Sequence, residues 1–260
     1  MTPDGYDLSG RVAIVTGGGE GIGAATAGLL ARYGADIAIA GRTSATLDKT
    51  SREIAGATGR RCIAIPTDAR DEAQVERMVA CTMEHFGQID ILINVVGWSG
   101  STPLSKMSTE TWKGDFELNI DTAFLCSRAA VQHMMARRSG AMVNVSSVAG
   151  TNGVKGMAAY SSAKAALVMF TRVAAAEWGH HGIRVNCVAP GLIATANAMK
   201  VYDAAGMDVN QFCAPLPVGR AGTAEDVARA IVFLASDASS YITGETLEVS
   251  GGPNLGGGGD

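Results

Sequence analysis

Charge is scarce in this 260-residue chain and nearly balanced: charged residues make up 18%, with 21 Lys and Arg against 25 Asp and Glu. That is below the roughly one-quarter usual for globular domains. A net charge of −4 gives no basic field for nucleic acid. Long apolar runs are missing too, since none reaches the ~20 residues that a membrane-spanning helix needs. Met1-Thr2-Pro3-Asp4-Gly5 is not a basic stretch leading into an apolar one, so no signal peptide is expected. His85, His133, His180 and His181 have no zinc-ligand spacing with one another or with cysteine, which argues against a metal site. The cysteines (Cys62, Cys81, Cys126, Cys187, Cys213) are scattered, mostly in apolar surroundings. They read as reduced thiols of a cytoplasmic protein rather than a disulfide framework. Internal linkers, repeats and charge runs are absent as well.

What the chain does have is apolar residues, at 47%, enough for a substantial core. Length alone allows one large α/β domain or two small ones. Short apolar runs read as strands at 11–16, 36–40, 61–66, 90–94, 141–146, 183–188 and 246–249. Helices are predicted between them at 24–33, 44–57, 71–86, 109–137, 158–180 and 223–235, with Ser108 and Thr223 as caps. Near-continuous apolar strands alternating with helices imply a parallel sheet covered on both faces. The fold expected is a single doubly wound α/β domain over 1–260. Its tail, 252–260, is rich in glycine and is expected to be mobile.

Two clusters carry the chemistry. The first strand runs into Gly17-Gly18-Gly19-Glu20-Gly21-Ile22-Gly23 and then a helix. Bare backbone N–H groups at a helix start attract a phosphate, and glycines let the backbone approach a pyrophosphate. The loop fits both Thr-Gly-x-x-x-Gly-x-Gly and Gly-x-Gly-x-x-Ala and does not choose between them. The second cluster is Tyr160 with Lys164 four residues on and Ser147 thirteen residues before the tyrosine. Four residues is about one helical turn, so phenol and ammonium share a face. The cation is expected to lower the phenol pKa and make Tyr160 a general acid or base.

Together these motifs resemble the short-chain dehydrogenase/reductase family, and the resemblance covers nearly the whole chain. Asn94-Val95-Val96-Gly97 stands where the family has Asn-Asn-Ala-Gly, and Asn119 lies 28 residues before Ser147. Arg184 to Gly191 resembles the strand and Pro-Gly turn beside the nicotinamide, and Tyr241-Ile242-Thr243-Gly244-Glu245 precedes the last strand. The resemblance implies a Rossmann-type sheet of seven strands in the order 3-2-1-4-5-6-7. It also implies an NAD(P)(H)-dependent oxidoreductase interconverting a ketone or aldehyde and an alcohol.

By the same resemblance, Tyr160 exchanges the proton, Ser147 holds the substrate oxygen, and Lys164 serves the phenol and the nicotinamide ribose. Asn119 supports a relaying water; read from sequence alone, it is a polar residue facing solvent. Gly17, Gly19, Glu20, Gly21 and Ile22 would line the phosphates, while Asp68 and Ala69 lie by the adenine. Asn94 and Gly97 would sit under the cofactor, and Pro190, Gly191, Ile193 and Thr195 by the nicotinamide. Val95-Val96 departs from the family pattern, so part of the bonding in the central sheet must differ.

The 2′ substituent of the cofactor is contested within the sequence. The second strand ends Ile39-Ala40-Gly41-Arg42-Thr43, with no acid for a ribose hydroxyl and with a guanidinium suited to a 2′-phosphate. Glu20 opposes that phosphate. The balance favours NADP(H), with NAD(H) as the alternative. A substrate lid is expected over about 196–217, where Met199, Val201, Tyr202, Met207, Phe212 and Cys213, with Trp98 and Met157 opposite, suggest a small apolar carbonyl or alcohol. Apolar residues on several faces of 109–137 and 158–180 call for a partner, and the resemblance to the family implies a homotetramer. A dinucleotide-sensing regulator without turnover is the alternative function.

Overall fold

Successive residues of a strand point to opposite faces, and here both faces are apolar. Ala13 and Val15 of β1 (Val12–Thr16) enter one core, whereas Ile14 between them enters the other. The same split separates Ile37 and Ile39 from Ala38 and Ala40 in β2 (Asp36–Gly41). Such strands must be covered on both sides, and each fully buried isoleucine stabilises the fold by roughly 1.5–3 kcal/mol.

The computed structural model describes residues 5–98 and 100–252; the glycine-rich tail from 253 onward lies outside them. After β1 and β2, separated by α1 (Gly21–Arg32), come α2 (Ser44–Thr58), β3 (Cys62–Pro66), α3 (Glu72–Phe86) and β4 (Ile91–Asn94). Then follow α4 (Thr109–Phe116), α5 (Thr122–Arg137), β5 (Gly140–Val145), α6 (Ala149–Asn152) and α7 (Ala158–Trp178). β6 (Ile183–Pro190), α8 (Ala196–Ala204), α9 (Val209–Cys213), α10 (Ala224–Ala235) and β7 (Thr246–Val249) complete the order. All seven strands are parallel, in the expected order β3-β2-β1-β4-β5-β6-β7. Residues of α1, α2 and α10 pack in one core and residues of α3, α5 and α7 in the other. Because β1 pairs with β2 on one side and β4 on the other, the crossovers diverge there and leave a crevice at the strands' carboxyl ends.

The predicted caps are present. Asp71 accepts from the Gln74 amide, Ser108 from that of Thr111, and Thr223 forms a reciprocal capping box with Asp226. The helix expected over 109–137 is not continuous. A π-helical segment, Glu117–Asp121, separates α4 from α5. Asn119 supplies the reason: its Nδ2 donates to the Asp115 carbonyl (2.9 Å) and to the Trp98 carbonyl (2.9 Å), and its Oδ1 accepts from the Trp98 amide (3.1 Å). The expected solvent-facing residue is fully buried. The helix expected to reach residue 180 stops at Trp178 and tightens into a 3₁₀ turn, Gly179–His181.

Candidate active site

Strand β1 delivers the glycine loop to the crevice. Gly17 and Gly21 have φ of +66° and +55°, where a side chain would be strained. A Cβ on Gly23 would stand 2.1 Å from the Gly17 carbonyl oxygen, and one on Gly18 2.7 Å from the Ile39 side chain. The loop is therefore bare backbone pressed between β1, β2 and α1. Glu20 is the N-cap residue of α1 but forms no side-chain cap bond. Its carboxylate instead accepts a hydrogen bond from Nδ2 of Asn197, on the first turn of α8. Thr195, which caps α8 by accepting from the Ala198 amide, stands 3.4 Å from where a Gly21 Cβ would lie.

A cleft of about 500 Å³ extends over the loop. Gly17, Gly19, Glu20, Gly21 and Ile22 line its floor, and Arg42, Thr43, Asp68 and Ala69 one end, with Gly97 and Thr195 toward the other. Asp68 is already engaged: Arg70 holds both of its oxygens, through Nε at 3.0 Å and a terminal nitrogen at 2.6 Å. That guanidinium is the main cause of a carboxyl pKa lowered to about 2, with burial opposing and Arg42 adding to it. Arg70 and Asn197 line the cleft and were not singled out in the sequence. Each lies two residues after one that was, Asp68 and Thr195.

Four of the residues expected in the cofactor site, Asn94, Pro190, Gly191 and Ile193, are not among those lining this cleft, and neither are Tyr160 and Lys164. Asn94 points into the sheet, where its Nδ2 donates to Ser127 (3.0 Å) and to Asn144 (2.9 Å). Its buried Oδ1 has no hydrogen-bond partner among the described residues. Pro190 and Gly191 are tied backbone-to-backbone to Val148 and Val249, and Ile193 is buried in the α1/α10 core. Packing claims these four.

At the other end of the crevice, β5 and α7 bring Ser147, Tyr160 and Lys164 together. Ser147 accepts from the Ala149 amide (3.1 Å), and its hydroxyl lies close enough to the Tyr160 phenol to favour the phenolate. Lys164 is 2% exposed, and its ammonium donates to the Val145 carbonyl at 2.8 Å. It lies over the Tyr160 ring, 5.8 Å from the centroid, rather than beside the hydroxyl. The expected lowering of the phenol pKa is consequently not found. Burial raises it, the Ser147 hydroxyl opposes, and Tyr202 and Asp115 raise it further. Burial also lowers the Lys164 pKa to about 8. A Cβ on Gly97 would fall 2.7 Å from both the Lys164 ammonium and Asn119 Oδ1, so this turn needs glycine. Asn119 thus fixes the Trp98 backbone next to the lysine.

The residues present fit a dinucleotide. A loop whose Gly18 and Gly23 leave no room for a Cβ leads to a helix start with no side-chain cap, and Gly97 in the cleft wall abuts Lys164, which lies over the Tyr160 phenol ring. A doubly wound sheet with this loop at its switch point and that phenol at its far end defines a nicotinamide-dependent oxidoreductase.

The family described as Enoyl-(Acyl carrier protein) reductase matches residues 17–254. A 3-oxoacyl-[acyl-carrier-protein] reductase of Synechocystis is 38% identical over 247 residues, covering 94% of this chain and 97% of that protein. The BbsD subunit of (2S)-[(R)-hydroxy(phenyl)methyl]succinyl-CoA dehydrogenase from Thauera aromatica is 38% identical over 253 residues, covering 95% and 98%. Among solved structures, levodione reductase superposes with a TM-score of 0.90 at 32% identity, covering 94% and 97% of the two chains. This chain belongs to the short-chain dehydrogenase/reductase family. It is an NAD(P)(H)-dependent oxidoreductase that interconverts a carbonyl and an alcohol; these relatives give no support to the non-catalytic alternative.

Proposed function

We propose that the chain reduces a small ketone with an apolar substituent, or oxidises the corresponding secondary alcohol, with Tyr160 as general acid and base and NADP(H) as preferred cofactor. The observation that carries this reading is the buried Lys164, held by the Val145 carbonyl and lying over the Tyr160 ring, with the Ser147 hydroxyl close enough to act on the phenol. Two hydroxyls converge there on one point, where a carbonyl oxygen accepts from both. When bound, the nicotinamide supplies or takes the hydride. In reduction Tyr160 gives its proton to the oxygen as it becomes an alkoxide, while Ser147 holds that oxygen in place. Lys164 would hold the nicotinamide ribose, and Asn119 positions the Gly97–Trp98 turn against it. The experiment is steady-state turnover on a panel of apolar ketones and alcohols with each cofactor; a panel without turnover would overturn the reading.

The 2′-phosphate would meet Arg42 and Thr43. Arg42 lines the cleft and has no ion-pair or hydrogen-bond partner among the described residues, whereas the nearby carboxylate, Asp68, is bound to Arg70. One carboxylate beside two guanidiniums favours an additional anion. Arg42→Ala is expected to lower kcat/KM for NADPH about tenfold, equivalent to ~1.4 kcal/mol, and to leave that for NADH nearly unchanged. Measuring both constants for both proteins decides it; a wild-type preference for NADH would reverse the assignment.

We assign α8 and α9 to a lid over the substrate. Val201 and Phe212 are exposed there, Tyr202 lies within electrostatic reach of Tyr160, and Cys213 packs inward. Trp98, exposed across the cleft, adds apolar surface. The relatives' printed activities concern a 3-oxoacyl group and a hydroxy(phenyl)methyl group, the latter with a phenyl ring on its hydroxyl-bearing carbon. Five free thiols, with burial raising Cys126 to about 12 and Cys187 to about 11, suit a reducing cytoplasm.

For assembly we propose a homotetramer of the whole domain. Ala130, Met134 and Ala174 face the sheet, whereas Phe124 of α5 and Met169 and Val173 of α7 are 41–54% exposed and form an outer apolar stripe. Met169→Asp is expected to split the tetramer, a change that light scattering reads directly. A wild-type protein that is monomeric at micromolar concentration would refute the assembly.

A further inference from the structure

Glu20 is an unexpected neighbour for a phosphate cradle. It sits at the N-cap position of α1, the place from which a carboxylate would normally accept from the helix's first amides. Here it does not, because the carboxylate is turned to Asn197, 177 residues further along the chain. Both residues line the cleft, and Asn197 lies in the first turn of α8, whose positive dipole end adds to the attraction. Thr195, two residues earlier, rests against Gly21, so the start of α8 is seated directly on the glycine loop.

We infer that Asn197 is a positioning residue for cofactor binding: by holding the Glu20 side chain, it keeps that carboxylate off the amino end of α1 and leaves the amides free for the cofactor's pyrophosphate. Without Asn197, Glu20 is free to fold back as an N-cap. It then occupies the donors the pyrophosphate needs and places a like charge beside it. The inference rests on the reading of the cleft as a dinucleotide site. It is independent of the 2′ position, because NADH and NADPH carry the same pyrophosphate.

The test is a four-protein cycle: wild type, Asn197→Ala, Glu20→Ala and the double variant. NADH and NADPH dissociation constants are measured by fluorescence titration of the full chain, with a melting temperature for each protein. Asn197→Ala is expected to weaken both cofactors by about tenfold, ~1.4 kcal/mol, with kcat at saturating cofactor little changed. Removing the carboxylate as well is expected to restore the wild-type constants, a rescue that a merely structural asparagine would not give. An unchanged affinity in Asn197→Ala, or a double variant no tighter than Asn197→Ala, would overturn the inference. Wild-type protein that binds neither dinucleotide would instead overturn the reading of the cleft itself, and this inference with it.

Discussion

Tyr160→Phe is expected to lower kcat by on the order of 10²-fold or more, the usual loss when a general acid is removed, while dinucleotide affinity stays close to that of wild type. The hydroxyl is the only part removed, and the ring that carries Lys164 over its face remains. The pH dependence has a definite sign. Burial raises the phenol pKa in the free protein, so Tyr160 is protonated at neutral pH and ready to donate. Carbonyl reduction should therefore hold its rate through neutrality and fall only as pH rises through the raised pKa. Alcohol oxidation needs the phenolate and should quicken as pH rises. Rates measured in both directions between about pH 6 and pH 11, a range that passes the reference value of ~10, check the sign. Wild-type kcat in Tyr160→Phe would remove the assignment altogether.

The second large effect is expected at Gly23. An alanine there would put its methyl 2.1 Å from the Gly17 oxygen and 2.7 Å from the Gly17 carbonyl carbon, both backbone atoms with no rotamer to yield. Helix α1 must move away from the loop, at a cost of roughly 1–3 kcal/mol for forced overpacking. Cofactor affinity should fall by about tenfold to a hundredfold, the equivalent of ~1.4–2.7 kcal/mol. Gly28, in the same helix with nothing within 4 Å of its would-be Cβ, is the control. Gly28→Ala should be neutral or stabilising by up to ~1 kcal/mol, since glycine is a poor helix former. Chemical denaturation and cofactor titration of the two variants separate the local clash from a general intolerance of alanine. Equal behaviour of the two would contradict the geometry.

Strands, caps and the glycine loop were legible because each depends on neighbours close in sequence, whereas the sheet order came from the resemblance to the family. An apolar run, a serine before a helix, or a glycine after a strand means the same wherever the chain goes. Three features were not legible, and each depends on a distant contact. The π-helical segment exists because Asn119 reaches the Trp98 backbone. The tyrosine is not acidified because Lys164 gives its ammonium to Val145. Glu20 counted as an obstacle to an anionic cofactor because nothing nearby in sequence discloses Asn197. Asn94, Pro190, Gly191 and Ile193 illustrate the reverse. Their motifs are local and recognisable, but the contacts that tie Asn94 to Asn144, Pro190 and Gly191 to Val148 and Val249, and Ile193 to the core are not.

The seam between β1 and β4 also sets the order in which the molecule can assemble during synthesis. Ala13 pairs with Ile91, and Asn94 with both Thr16 and Asn144. As the chain leaves the ribosome, β1, β2 and β3 can pair as they appear, but one flank of β1 stays open until the fourth strand emerges. That flank is an apolar edge awaiting a distant partner, the kind of pairing that folds slowly and leaves surfaces exposed to aggregation. The cleft lies on this same seam. The nascent chain therefore has no nucleotide site until its two halves have met, and cofactor present during synthesis can trap only chains that have already closed the gap.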